Sequence, residues 1–327
     1  MFDIPVVLFL FKRSSTLKEI IERLREVKPQ KIYLLADGPR NNEEATEVVK
    51  CRNLVEQLIN WNCQIIKHYA EKNIGVIENI GNGARWVLEQ EQWAIFIEDD
   101  NLPEISFFTF CKEMLLKYKN DNKIMWICGT NYLGKYNSKY SYMFTQHLLP
   151  CGWASWSHKF LNNYDIYLKT LKDDKKTSIF YKTYESNALF EQQIYSIKRT
   201  KYLIDNDKSK ASWDYQMLFS IRSNNMFGIS PSVNQIKNIG VDNCSIHGGN
   251  NMKYEMTKRF CGMDSYELIF PLKHPDKIEV DPIYEKKIGE IILMPIKERI
   301  MRKIATFIKP IFGLKPYDSF KEFIRRK

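Results

Sequence analysis

The sequence predicts an α/β protein built on a mostly parallel sheet with helices on both faces. Two observations lead there. Apolar runs of strand length alternate four times with segments of helical periodicity before the chain reaches Asp100. The first of these runs is apolar throughout instead of alternating, as expected of a strand covered on both sides. In such sheets ligands gather outside the carboxyl ends of the strands, so the residues that follow each run are the first functional candidates.

Pro5 to Phe11 is the first run, and Lys12-Arg13 follows it. Thr16 and Glu19 have the spacing of a capping box. Leu17, Ile20, Ile21, Leu24 and Val27 then line one face of a helix that Pro29 ends. Lys31 to Ala36 is the second strand, closed by the turn signal Asp37-Gly38-Pro39-Arg40. Glu43 to Asn60 reads as the second helix and Gln64 to His68 as the third strand. Ile77, Ile80, Ala84 and Val87 mark the third helix. The fourth strand, Ala94 to Ile97, runs straight into Glu98-Asp99-Asp100. Adjacent carboxylates repel one another and are costly to desolvate, so they suit the end of a core strand when a hard divalent cation, Mg²⁺ or Mn²⁺, neutralises them. A solvated acidic turn is the plain alternative. Lys12-Arg13 and Asp37-Gly38 fall at the same edge of the sheet as the triplet, which favours a site.

Phe107 to Tyr118 is the next predicted helix and Ile124 to Cys128 the next strand. From Asn131 to Tyr167 the chain is rich in Tyr, Trp, Ser, Asn and Gly, a composition that suits the wall of a polar ligand site. Tyr142 to Thr145 and Cys151 to Trp156 are its strand candidates, and Tyr181 to Lys198 reads as helical. Ser212-Trp213-Asp214 opens another helix, with Asp214 in its first turn, where a carboxylate also complements the helix dipole. Phe227 to Ser230 and Val233 to Ile236 are short strands, followed by a polar, glycine-bearing loop from Asn238 to Asn250.

The chain has 327 residues, 44% of them hydrophobic, which excludes a disordered protein. Seven cysteines without any Cys-x-x-Cys spacing argue against a disulfide framework or a zinc site, and for a reducing compartment. The apolar run near the N-terminus is too short to span a bilayer and lacks the basic flank of a signal peptide, so a cytoplasmic location is expected. Net charge is +10, but from Ile296 onward ten basic residues stand against three acidic ones, so +7 of it lies in the tail. That disfavours nucleic acid as a partner of the main body. Ile296, Ile300, Ile304, Phe307, Ile308 and Ile311 form one face of a tail helix, with Lys297, Arg299, Arg302, Lys303 and Lys309 around it. Such a helix suits the anionic inner face of the plasma membrane; its alternative is to pack on the body and show its charges to water.

In order and spacing these pieces resemble the GT-A glycosyltransferases, and within them the β-1,2-N-acetylglucosaminyltransferase I type. The resemblance covers Pro5 to Asn250. It rests on the Pro5–Arg13 strand and basic turn, Asp37, Glu98-Asp99-Asp100 with its following proline, Cys151-Gly152-Trp153, Trp213-Asp214, and the loop from Gly240-Val241 to His247-Gly248. Tyr215 stands where that family tends to carry a second acidic residue, and the spacer Ser157 to Ser212 is longer. Sugar and linkage therefore do not carry over.

The resemblance implies transfer of a sugar, with inversion, from a nucleotide diphosphate such as a UDP-sugar to a saccharide or lipid-linked saccharide, in a setting such as bacterial capsule or lipopolysaccharide synthesis. It implies Asp100 as ligand of Mn²⁺ or Mg²⁺, Asp99 toward the ribose, and Glu98 in support. Arg13, Asp37 and His247 would contact the donor. Asp214 would be the general base, with Trp153 and Trp213 on the acceptor side. Residues 1–130 would form the nucleotide-sugar-binding half, 131–285 the acceptor-binding and catalytic half of the same domain, and 286–327 the tail. The rivals are a sugar nucleotidylyltransferase, disfavoured because Phe11-Lys12-Arg13-Ser14 has no glycine, and a catalytically silent membrane-associated binding protein.

Overall fold

The computed structural model describes residues 1–241, 252–318 and 320. Its strands are β1 (Val6–Leu10), β2 (Lys31–Ala36), β3 (Gln64–Tyr69), β4 (Trp93–Glu98), β5 (Asn101–Pro103), β6 (Ile124–Cys128), β7 (Tyr142–Thr145), β8 (Trp153–Trp156), β9 (Phe227–Pro231) and β10 (Ile236–Asn238). Among the described residues, eight of them form one sheet in the order β3-β2-β1-β4-β8-β6-β9-β7. β1, β2, β3 and β4 pair in parallel, as chain segments joined by helical crossovers must. β8 runs antiparallel between β4 and β6, and β7 antiparallel beside β9, so the second half of the sheet is mixed. β5 and β10 make a separate antiparallel ribbon that the sequence pattern does not announce, with Asn101 opposite Asn238.

The helices are α1 (Leu17–Val27), α2 (Asn42–Leu58), α3 (Gly83–Leu88, entered through a π-helical turn, Ile77–Asn82), α4 (Ile105–Lys117), α5 (Ser157–Asn163), α6 (Asp174–Lys182), α7 (Asn187–Asn206), α8 (Asp214–Ser223), α9 (Glu255–Phe260), α10 (Pro282–Ile292) and α11 (Ile296–Ile308). The helical stretch expected over Tyr181–Lys198 spans the end of α6 and the first part of α7. The chain breaks after Lys182, and Ser186 starts α7 by accepting a hydrogen bond from the Leu189 amide.

Strand alternation splits the core into two layers. Val6, Leu8 and Leu10 of β1, with Ile95 and Ile97 of β4, pack against α1, α2 and α4. Val7, Phe9, Ala94 and Phe96 pack on the other side with residues of α3, α5 and α8. Tyr284 and Ile288 of α10 are fully buried in that second layer. The expected tail boundary at 285/286 therefore cuts through a helix that packs in the body. α11 has no buried residue. No helix among the described residues is long and apolar enough to cross a membrane.

Candidate functional site

β4 ends at Glu98, and the chain turns through Asp99 and Asp100 into β5. The two parallel neighbours at this edge are β1 and β4, so the turn after β1 brings Arg13 onto the acidic turn. One Nη1 of Arg13 donates to Asp99 Oδ1 at 2.8 Å and to Asp100 Oδ2 at 3.0 Å. The Phe11 amide donates to Asp99 Oδ2 at 3.1 Å, and the Thr16 hydroxyl donates to the Asp99 carbonyl. Thr16 precedes α1 as expected, but its side chain makes no cap hydrogen bond there, because it serves the acidic turn instead.

Asn101, which the sequence reading did not single out, clamps the outermost carboxylate. Its Nδ2 donates to Asp100 Oδ1 at 2.6 Å, while its Oδ1 accepts from the Gly152 amide at 2.9 Å. The signal available was its position immediately after the triplet. From the other side the β10 strand delivers Gly240, at which an added Cβ would meet Asp100 Oδ2 at 2.4 Å. Asp100 keeps 21% of its side chain exposed, against 12% for Asp99, so it is the member of the pair turned most to solvent.

Glu98 points to the opposite layer from Ile97, the one holding Phe96. Burial holds its carboxyl well above the usual range, reinforced by Asp100, Asp99 and then Asp214, against the pull of Arg13. Burial and Asp100 likewise raise Asp99, with Arg13 opposing. Asp214, the residue predicted as base, follows Trp213, which stacks on Trp153 beside Phe96 of β4. Asp214 is half-buried in the first turn of α8, with its Oδ1 accepting from the Tyr215 amide at 3.0 Å. Burial, then Cys151 and Asp214, push the Tyr132 phenol well above its usual range.

What holds Asp214 there is aromatic packing. Phe9, Phe96, Trp153 and Trp126 stack across β1, β4, β8 and β6, with ring centroids 6.0, 3.9 and 4.2 Å apart in that order. Trp213 lies 5.8 Å from Trp153, and its carbonyl accepts from the Tyr164 hydroxyl at 2.9 Å. Trp153 is 1% exposed, with Phe96 and Trp126 against it, so it offers no face to an acceptor sugar and acts as a core residue. Trp213 is 7% exposed.

Asp37 sits at the end of β2, but its carboxylate is fully engaged. Oδ1 accepts from the amides of Gly38 (2.7 Å) and Ile74 (2.8 Å); Oδ2 accepts from Asn73 Nδ2 (2.9 Å) and the Gly75 amide (3.1 Å). Four donors use the four lone-pair sites of a carboxylate, so Asp37 builds the 72–75 turn and has none left for a nucleotide base. An added Cβ at Gly38 would strike the Lys72 backbone at 2.4 Å, which keeps that turn tight against the strand. Lys12 is drawn off to Glu44 at 2.7 Å. His247 lies outside the described residues.

Asp100 Oδ2 accepts from Arg13 and Oδ1 from Asn101, at the edge of the cluster that faces solvent. Among the described residues no three His, Cys, Asp or Glu side chains form a closed ligand set. An oxygen donor at the solvent edge of a buried acidic cluster fits a hard divalent cation that takes one or two carboxylates from the protein and the rest of its shell from phosphate and water. Two cavities, of about 280 Å³ beside Tyr164 and Tyr167 and about 480 Å³ between α7 and α11, are not lined by Glu98, Asp99, Asp100 or Asp214.

No family model matches the chain, and no curated relative does. Solved structures align with parts of it. HddC from Yersinia pseudotuberculosis, complexed with GMP-PN, is 17% identical over 34% of this chain, with a TM-score of 0.24, and the chain spans about half (54%) of that protein. Glucosyl-3-phosphoglycerate synthase from Mycobacterium tuberculosis, in complex with Mn²⁺, UDP and phosphoglyceric acid, is 12% identical over 48% of this chain and 56% of its own, with a TM-score of 0.30. The mannosyltransferase PcManGT from Pyrobaculum calidifontis, in complex with GDP-Man and Mn²⁺, is 10% identical over 68% of this chain and 69% of its own, with a TM-score of 0.36. At such scores the fold is read from the sheet order and the chemistry from the site's own residues.

Proposed function

We propose that the chain is a metal-dependent glycosyltransferase that moves a sugar from a nucleoside diphosphate, such as UDP, to a saccharide hydroxyl with inversion. The observation that carries this reading is a pair of chemically different parts: an acidic turn with one solvent-facing carboxylate, and a second carboxylate, Asp214, whose neighbour Trp213 stacks on Trp153, which in turn stacks on Phe96 just before that turn.

Asp100 would hold the cation, Mn²⁺ or Mg²⁺, which when bound offsets the negative charge of the departing diphosphate. Arg13 and Asn101 fix the Asp100 carboxylate from two sides, so its orientation is set before a donor arrives. Asp99 is bound inward by Arg13 and Phe11, which suits a positioning part more than a direct contact with ribose. Glu98, whose burial favours its protonated form, would back the turn from the inner layer. Asp214 takes the proton from the acceptor hydroxyl as that oxygen attacks the anomeric carbon and the bond to the diphosphate breaks on the opposite side. His247, in the glycine-bearing loop, would reach the diphosphate.

Incubation with a panel of UDP-, GDP- and CMP-sugars, Mn²⁺ and saccharide acceptors tests the reading. Asp214→Asn is expected to bind the donor as the wild type does and to lose about 10²- to 10⁴-fold in transfer. Normal transfer by that variant would move the base elsewhere, and a wild type that turns over no nucleotide sugar would defeat the whole reading.

A further inference from the structure

α11 lies on the molecule the wrong way round for a helix that merely completes the body. In an ordinary surface helix the apolar stripe faces inward and the charged side faces water. Here the side turned toward the rest of the chain carries Arg299, Arg302, Thr306 and Lys309, none of which is exposed. The Arg302 guanidinium lies 5.0 Å from the Tyr195 ring centroid of α7, and Lys309, 7% exposed, donates to the Pro316 carbonyl at 2.7 Å. The apolar side faces out. Ile296, Ile300, Ile304, Phe307, Ile311 and Phe312 are between 49% and 81% exposed, although a chain free to turn this helix half a revolution would bury them. A cavity of about 480 Å³ between α7 and α11 is lined by Ile296, Ile300 and Phe307 along one side and by Tyr195, Arg299 and Arg302 along the other.

We propose that this outward face docks on an anionic lipid bilayer. The charge around it selects that occupant. Lys297 and Lys303 of α11 are exposed, Lys303 also pairing with Glu191 of α7 at 2.9 Å, and the segment from Ile296 to the C-terminus carries ten basic residues against three acidic ones. Two copies of the chain meeting face to face would bring two such tails together, and like charges oppose that contact. A bilayer bearing phosphatidylglycerol complements both parts, accepting the isoleucine and phenylalanine side chains at its acyl boundary and the lysines at its headgroups. This surface is separate from the acidic cluster, and its test contains no sugar donor, so it stands or falls apart from the transferase reading.

The experiment is co-sedimentation of the full chain with vesicles of phosphatidylcholine containing about one-third phosphatidylglycerol, and with pure phosphatidylcholine. The wild type is expected to bind the anionic vesicles and to lose that binding on pure phosphatidylcholine. Ile300→Glu/Ile304→Glu/Phe307→Glu should lower partitioning by at least about tenfold, since each loses an apolar anchor and gains a repelled charge. Those side chains are exposed, so the thermal midpoint should stay where it is, and a melt of the variant checks that it does. Equal sedimentation of variant and wild type overturns the proposal. So does a wild type that ignores vesicles and is a dimer in solution, with the variant a monomer, because the face would then belong to a second copy.

Discussion

At residue scale the acidic turn shows how much chemistry three adjacent carboxylates leave to their neighbours. Glu98, Asp99 and Asp100 are visible in the sequence as an oddity after an apolar run, and Arg13 as the basic residue at the end of the preceding parallel strand. Their division of labour is not visible, because it depends on hydrogen bonds from residues of unremarkable type. Asn101 ties Asp100 to Gly152, and Thr16 holds the Asp99 carbonyl where the sequence offered it a helix cap. Asp37 shows the opposite outcome: a carboxylate in the right place whose acceptor capacity is spent on its own turn. Gly240 yields a direct prediction. A methyl group there would press on Asp100 at 2.4 Å, and Arg13 and Asn101 leave that carboxylate little freedom to swing aside. Gly240→Ala is expected to cost about tenfold or more in turnover while the melting temperature moves by less than about 4 °C, as displacement of a positioned group affects rate far more than stability. Unchanged turnover in a steady-state assay would show that Asp100 need not keep its present orientation.

At the scale of elements, long-range contacts decide what local pattern could not. Trp153 looked like a ligand-facing aromatic beside a glycine; β8 inserts between β4 and β6, and the ring becomes part of a stack instead. The same stack reaches Trp213 and so sets the start of α8. A second device joins α8 to α10. Arg222 of α8 is fully buried, within 3.3 Å of Glu285 in α10 and donating to His147 Nδ1 at 3.1 Å, while His147 Nε2 lies 2.9 Å from the Glu285 carbonyl. With Arg222 donating to Nδ1, the proton sits on Nε2 and the ring is neutral. Burial, with Arg222 beside it, pushes His147 down to about 4, and Glu285 does not reverse this. An unfolded histidine binds its proton near 6.5, so the folded state is favoured fully above that pH and loses this contribution as the pH falls through 4. The contribution is at most about 3 kcal/mol. Urea unfolding at pH 7 and pH 4.5 should show the wild type losing more stability than His147→Gln, which keeps a donor and an acceptor but does not titrate. Parallel losses in the two proteins would mean that His147 is protonated in the native state as well.

For the whole molecule, the parallel half was legible because β1, β2 and β4 are mostly apolar runs and β1, β2 and β3 each lead into a helix, a pattern with few topological solutions. The second half was less so. The β5–β10 ribbon is two strands of three residues whose pairing spans more than 130 positions, and no local period encodes it. The break between α6 and α7 rests on one capping serine within a pattern that otherwise reads as continuous helix. The tail was legible as amphipathic, but its orientation was not, since periodicity identifies a stripe without saying which way it faces.

The central claim is that the edge of the sheet binds a nucleoside diphosphate through a cation held by Asp100. Calorimetric titration of UDP and GDP into the wild type and Asp100→Ala, each with Mn²⁺ and with excess chelator, tests it most directly. The wild type should bind one of the two at least about tenfold more tightly with Mn²⁺ than with chelator, and Asp100→Ala should bind equally in both. Equal affinity of the wild type in the two conditions, or an Asp100→Ala protein that keeps the full response to Mn²⁺, would contradict it.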